Sequence, residues 1–154
     1  MFNLFKKSES CVAPASGKLI AISEVKDEVF SKKMMGDGFA IIPTEKTICA
    51  PYSGTVSFCF PTKHAIGIKT LDGKEILIHI GIDTVKLKGE GFQAFATESQ
   101  KIKQGDTLIA MDLDFIKEKG YDPTVIVIFP NNTVELNTQD KNVKTQQLLN
   151  IKIK

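Results

Sequence analysis

The stretch EILIHIGID, residues 75–83, decides the fold. Read with a period of two, Ile76, Ile78, Ile80 and Ile82 fall on one face, and Glu75, Leu77, His79, Gly81 and Asp83 on the other. Alternation of β-branched residues is a strand signal, so the isoleucine face is read as core. His79 then stands mid-strand on a mixed face, and Gly81 beside it spares the imidazole a crowding side chain. Upstream, LDG at 71–73 signals a hairpin to a second apolar strand, HAIGIKT at 64–70, which carries the only other histidine, His64. With Asp72-Gly73 as a two-residue turn, His64 faces Gly81 and has His79 as its diagonal neighbour, about 7–8 Å away on the same side of the sheet.

The same reading extends outward. Strands are expected at 17–22, 38–43, 47–50, 54–60, 64–70, 75–80, 92–96, 107–112 and 124–129, punctuated by Gly, Pro, Asn and Asp. Their spacing predicts an all-β chain, an antiparallel sandwich or flattened barrel. One short helix fits DLDFIKEKG at 112–120, with Asp112 or Asp114 at its start and Gly120 at its end. A shorter helical turn fits DEVFSKKM at 27–34. APASGKL at 13–19 and APYSGTV at 50–56 form a faint repeat, each a turn feeding a strand. Two copies imply a duplicated β unit and not a solenoid.

Composition narrows the function. The 154 residues, 42% of them apolar, suit one domain with a sizeable core. The net charge of +2 is scattered with no basic stripe, which argues against nucleic acid. No apolar run nears the ~18 residues that span a bilayer. The start, MFNLFKKSES, lacks the apolar stretch of a signal peptide and is read as a flexible tail over residues 1–10. Phe2, Leu4 and Phe5 with Lys6 and Lys7 give residues 1–7 at most a weak membrane contact. Cys11, Cys49 and Cys59 show neither CxxC nor an even count, which suits a reducing, cytoplasmic setting. All 20 basic residues are Lys, so no arginine finger is available in cis.

Two adjacent imidazoles allow three chemistries. A zinc site needs at least three protein ligands, and only a carboxylate such as Asp83 offers itself as the third. A catalytic triad lacks an activating motif such as G-x-S-x-G. Nucleophilic attack on phosphorus by a neutral imidazole needs only what the sequence supplies: a group with an ordinary pKa of about 6.5 and a second ring to donate hydrogen bonds. There is no nucleotide P-loop, and GDG at 36–38 and GEG at 89–91 read as plain turns.

PTKHAIGI and EILIHIGIDTVKLKGEGF closely resemble the two histidine motifs of the glucose-type enzyme IIA of the bacterial phosphoenolpyruvate-dependent sugar phosphotransferase system. APASGKLI, MMGDGFAIIP, APYSGTV and IKQGDTLIAMDL match the same family, and the likeness covers roughly residues 11–129. The resemblance implies an antiparallel β-sandwich, with residues 11–154 as one enzyme IIA domain, and no required cofactor. It implies His79 as the phosphoryl acceptor through Nε2, His64 as its stabiliser, and Thr62 in the same hydrogen-bond network. The phosphoryl group would arrive from the histidine-containing phosphocarrier protein, HPr, and leave to a cysteine on the enzyme IIB domain of a glucose-family permease. The docking face would be apolar at Val29, Phe30, Met34, Met35 and Phe60 and acidic at Asp27 and Asp83. Family members often carry an acidic residue where Lys86 stands, a departure that bears on partner recognition.

Other functions have weaker footing. Zinc peptidases of related folds need H-x-H and a further histidine; here the segment reads HIG. Lipoyl and biotinyl carriers need a lysine hairpin such as M-K-M, which is missing. A regulatory protein that inhibits transporters or kinases when unphosphorylated remains the alternative, with a possible zinc bound between proteins through His64 and His79.

Overall fold

The computed structural model describes residues 9–154. Its strands are β1 (Gly17–Ala21), β2 (Asp37–Pro43), β3 (Thr47–Cys49), β4 (Gly54–Cys59), β5 (Ala65–Thr70), β6 (Glu75–Ile80), β7 (Phe92–Ala94), β8 (Lys101–Ile102), β9 (Thr107–Met111), β10 (Val125–Phe129), β11 (Val134–Leu136), β12 (Lys141–Val143) and β13 (Ile151–Ile153). Two short helices join them, α1 (Glu28–Ser31) and α2 (Leu113–Glu118). Eight strands form one antiparallel sheet in the order β12-β1-β2-β10-β6-β5-β4-β8; β3-β9-β7 form a second sheet, and β11-β13 a ribbon. The expected antiparallel sandwich is what forms. Both sheets feed one core cluster that includes Phe39, Ile78, Leu108, Ile109 and Val127, all fully buried. Ile76, Ile78 and Ile80 point into it as their alternation dictates, each contributing roughly 1.5–3 kcal/mol by leaving water.

The faint repeat proves to be a two-fold built into the large sheet. A half-turn about an axis between β10 and β6 exchanges β12 with β8, β1 with β4, and β2 with β5. The registers agree: Gly17 faces Pro43 and Val143, as Gly54 faces Thr70 and Ile102. The isolated bridge Val12–Leu148 corresponds to Cys49–Thr107. Ser16 Oγ accepts from Thr145 N at 2.9 Å, and Ser53 Oγ accepts from Gln104 N at 2.8 Å. Both repeat glycines start strands for one reason: a Cβ would lie 1.9 Å from the Ile42 carbonyl oxygen at Gly17 and 2.1 Å from that of Lys69 at Gly54.

The copies differ in the connection that follows their first strand, and that difference shapes the site. Between β1 and β2 the chain spends residues 22–36 on a 3-10 turn and α1, which roof the outer face of the sheet. Under this roof Ile20, Ile22, Val25, Phe30, Ala40, Ile126 and Ile128 form a second apolar cluster. Between β4 and β5 only residues 60–64 intervene. A row of paired residues crosses the sheet as Ile20, Ala40, Ile126, His79 and Ala65. His79 lies where the roof ends.

Three expectations need correction. The β5–β6 turn has three residues, Leu71 to Gly73, not two: Thr70 N bonds to Lys74 O at 2.8 Å, and Gly73 takes φ +89°. The register therefore moves by one: Ala65, not Ile66, pairs with His79, and His64 lies beside Ile80, not Gly81. Ile82 does not continue the core face; Gly81 at φ +81° ends the strand and turns Ile82 into the second cluster. Helix α2 forms within 112–120 as expected, with Asp112 and not Asp114 as its cap: Asp112 Oδ1 accepts from Phe115 N at 3.1 Å, and Gly120 at φ +85° follows its end. Strands β8, β11, β12 and β13 were not expected. The weak membrane contact assigned to residues 1–7 lies outside the described residues. Glu9 and Ser10, in the expected tail, are bonded: Glu9 Oε1 and Oε2 accept from Ser53 N and Oγ, each at 2.6 Å, and Ser10 O accepts from Gln104 Nε2 at 2.5 Å.

Candidate functional site

His79 and His64 meet edge to face, ring centroids 5.1 Å apart and planes at 79°. Strict alternation on β5 would send the residue before Ala65 to the opposite face. His64 escapes because Lys63 takes a left-handed φ of 60°, which swings the chain before the strand begins. The Ile80 N–H then bonds to the His64 carbonyl at 2.6 Å, and Lys63 N to Phe60 O at 2.8 Å, fixing the tight 60–64 connection.

Each imidazole is oriented through Nδ1. His79 Nδ1 lies 2.8 Å from the Gly81 carbonyl oxygen. A carbonyl only accepts, so Nδ1 holds the ring proton and Nε2 keeps its lone pair. Among the described residues Nε2 has no hydrogen-bond partner. His64 Nδ1 lies 2.7 Å from Thr62 Oγ1; with the hydroxyl as donor, His64 presents an Nε2–H. The two rings are thus set up as opposite tautomers, one with a lone pair to give and one with a proton to share.

Both rings are held neutral at ordinary pH. Burial, and secondarily the neighbouring His79, push the His64 pKa down to about 4. Burial also lowers the His79 pKa, while the Gly81 carbonyl and the carboxylates of Asp27 and Asp83 pull it back up. The two aspartates therefore act on His79 electrostatically, favouring any state in which its ring turns positive. Asp27 caps α1, its Oδ1 accepting from Val29 N at 2.9 Å. Asp83, exposed and left-handed at φ 62°, opens the 3-10 turn Thr84–Leu87.

Around the pair runs a chain of rings. Phe30 lies 4.9 Å from His79, Phe60 lies 5.5 Å from His64, and Phe58 stacks on Phe60 at 5.0 Å. Phe30 departs from its assignment as a contact residue: it is 5% exposed and forms the floor under His79, one face in the apolar cluster. Val29, Met35 and Phe60 are about two-fifths exposed and Met34 more so, and Val85, which the sequence reading did not single out, is exposed to a similar degree. Phe58 was also missed. A bulge between Val56 and Phe58 re-aims its ring over Gly67, where a Cβ would come within 2.2 Å of it. The Gly between two isoleucines in AIGI was the available signal. Gly81 serves differently from the reading above: a Cβ would strike Thr84 Cγ2 at 2.4 Å, not the imidazole.

Among the described residues no group of three or more His, Cys, Asp or Glu is placed to hold a metal ion. The histidine pair supplies two nitrogen ligands, and Asp83 does not complete a set with them. Among the same residues no helix is long and apolar enough to cross a membrane.

Fold and site together define a class: an antiparallel β-sandwich with two histidine rings in contact on the outer face of its large sheet, where the roof ends. The model of the phosphoenolpyruvate-dependent sugar phosphotransferase system EIIA 1 family matches residues 9–135. The chain is 50% identical over 127 residues to the glucosamine-specific EIICBA component of Bacillus subtilis (strain 168), a match covering 82% of this chain and 20% of that one. It thus spans about a fifth of that relative. The glucose permease IIA of Mycoplasma capricolum has the same fold, with a TM-score of 0.86 at 43% identity, covering 98% of this chain and 99% of the other. The chain belongs to the EIIA 1 family of the sugar phosphotransferase system, and within it to the glucose type. Its family role is that of a phosphoryl carrier in sugar uptake.

Proposed function

We propose that His79 Nε2 accepts a phosphoryl group from the histidine phosphocarrier protein HPr and passes it to a cysteine thiolate on an enzyme IIB domain of a glucose-family permease. The observation that carries this reading is the tautomer: Nδ1 is committed to Gly81 O, so the free lone pair on Nε2 stands beside a second imidazole. In the forward step the N–P bond on the carrier breaks as the Nε2–P bond forms, and the Nδ1 proton stays where it is. The ring becomes formally positive, and the Gly81 carbonyl with Asp27 and Asp83 stabilises that charge. Transfer of this kind depends on positioning and on charge placed around the phosphoryl oxygens. His64 Nε2–H, set by Thr62, donates to one of these oxygens. With no arginine in the chain, further positive charge comes from the partner, drawn to the same two aspartates. Val29, Met34, Met35 and Phe60 supply the apolar contact, with Phe30 supporting His79 from below.

In this reading residues 11–154 act as one domain in the cytoplasm, with no cofactor of its own. Which sugar is carried follows from the permease partner. Incubation with phosphoenolpyruvate, enzyme I and the phosphocarrier tests the assignment: an acid-labile, base-stable label is expected on the wild type and none on His79→Ala. His64→Ala is expected to accept the label and pass it on poorly. A label retained by His79→Ala would overturn the proposal.

A further inference from the structure

The geometry points to Asp122 as a positioning residue that sets the His79 tautomer through one peptide group, an inference that rests on His79 being the acceptor. The peptide between Gly81 and Ile82 is held at both ends. Its carbonyl takes the His79 Nδ1–H at 2.8 Å, and its N–H bonds to the Asp122 carbonyl at 2.9 Å. The C=O and N–H of a trans peptide point in opposite directions, so an acceptor for one aims the other. The next peptide back is held on the same loop: Gly81 N bonds to Thr124 O at 2.8 Å.

The loop is closed by a side chain. Asp122 Oδ1 accepts from Thr124 N at 2.9 Å and from Thr124 Oγ1 at 2.6 Å, and Thr124 is 4% exposed. Without that carboxylate, two donors on Thr124 lose their acceptor, and the 122–124 turn must find another geometry. Its two carbonyls would then drift from Gly81 and Ile82. On the other side Thr84 Oγ1 bonds to Ile80 O at 2.5 Å and packs where a Cβ of residue 81 would fall, so the loop has little room to compensate. Released from Gly81 O, His79 is free to place its proton on Nε2, which leaves the lone pair on the wrong nitrogen. Asp122 touches neither ring; it acts through the backbone.

The test compares Asp122→Ala, Asp122→Asn and Thr124→Val. Nitrogen-15 spectra of the imidazoles read the His79 tautomer without any partner, and rapid-quench labelling by the phosphocarrier reads the rate. For Asp122→Ala the expected results are a growing Nε2–H population and phosphorylation about tenfold slower. Asp122→Asn keeps an acceptor oxygen and should recover most of both readouts. Thr124→Val, which keeps the N–H but loses the hydroxyl, should fall between and remains informative if Asp122→Ala unfolds. An Nδ1–H tautomer and wild-type rate in Asp122→Ala and Thr124→Val would overturn the inference. So would equal slowing by Ala and Asn, which would mark charge and not turn geometry as the cause. Failure of the acceptor assignment is seen separately, as a label that survives His79→Ala.

Discussion

Acid should weaken this fold through His64 in a way one substitution removes. The ring is 5% exposed and its pKa falls from 6.5 to about 4 in the folded state. Between these values the unfolded chain binds a proton that the folded one refuses, so stability falls as pH falls through this window. Above pH 6.5 the penalty is absent; below pH 4 it is complete. At pH 5 the two titration curves differ by roughly 2 kcal/mol, and the full shift is worth about 3 kcal/mol. His79, also depressed, adds in the same direction. The assay is equilibrium urea unfolding of wild type and His64→Gln at pH 7.5 and pH 5. Wild type should lose about 2 kcal/mol more than the variant between the two pH values. Equal losses would refute the claim that His64 is held neutral by its surroundings, and with it the tautomer pair on which the site is built.

Gly81→Ala forces a Cβ onto a residue at φ +81° and into Thr84; a loss of about 2–4 kcal/mol in urea unfolding is expected, together with slowed phosphorylation. Asp27→Asn combined with Asp83→Asn should slow phosphorylation by the carrier about fivefold at low salt while His79 remains labelled; an unchanged rate contradicts the electrostatic role given to them. Ile78→Ala opens a cavity in the fully buried core and should cost about 2–5 kcal/mol by the same unfolding assay, with the label on His79 retained under native conditions.

The alternation in residues 75–80 was legible because one face is wholly buried, and burial is what enforces a period of two. That the two histidines lie near each other was legible, since their strands are joined by a hairpin. Their true juxtaposition was not. It depends on Lys63 adopting a left-handed conformation, which lysine does not advertise, and on Thr70 closing a three-residue loop by accepting from Lys74 N at 2.8 Å. The roof over the first half of the sheet was invisible for a similar reason. A duplicated strand pattern carries no record of which connection is long enough to cover it. Strands β11 to β13 are short and largely solvent-facing, so their pattern gave no core face to read. Their place became clear only through the two-fold, which pairs residues 143–148 with 102–107. Asp122 sits in a D-P-T turn, a sequence that announces a bend but not that its carbonyl accepts from the Ile82 N–H beside His79.

Phosphorus NMR of the protein phosphorylated through the phosphocarrier, recorded with nitrogen-15 histidine, reads the attacking atom directly. A single phosphoryl group bonded to Nε2 of His79 is the expected spectrum. A phosphorus signal coupled to Nδ1 of that ring, or to His64, would contradict the account at its root.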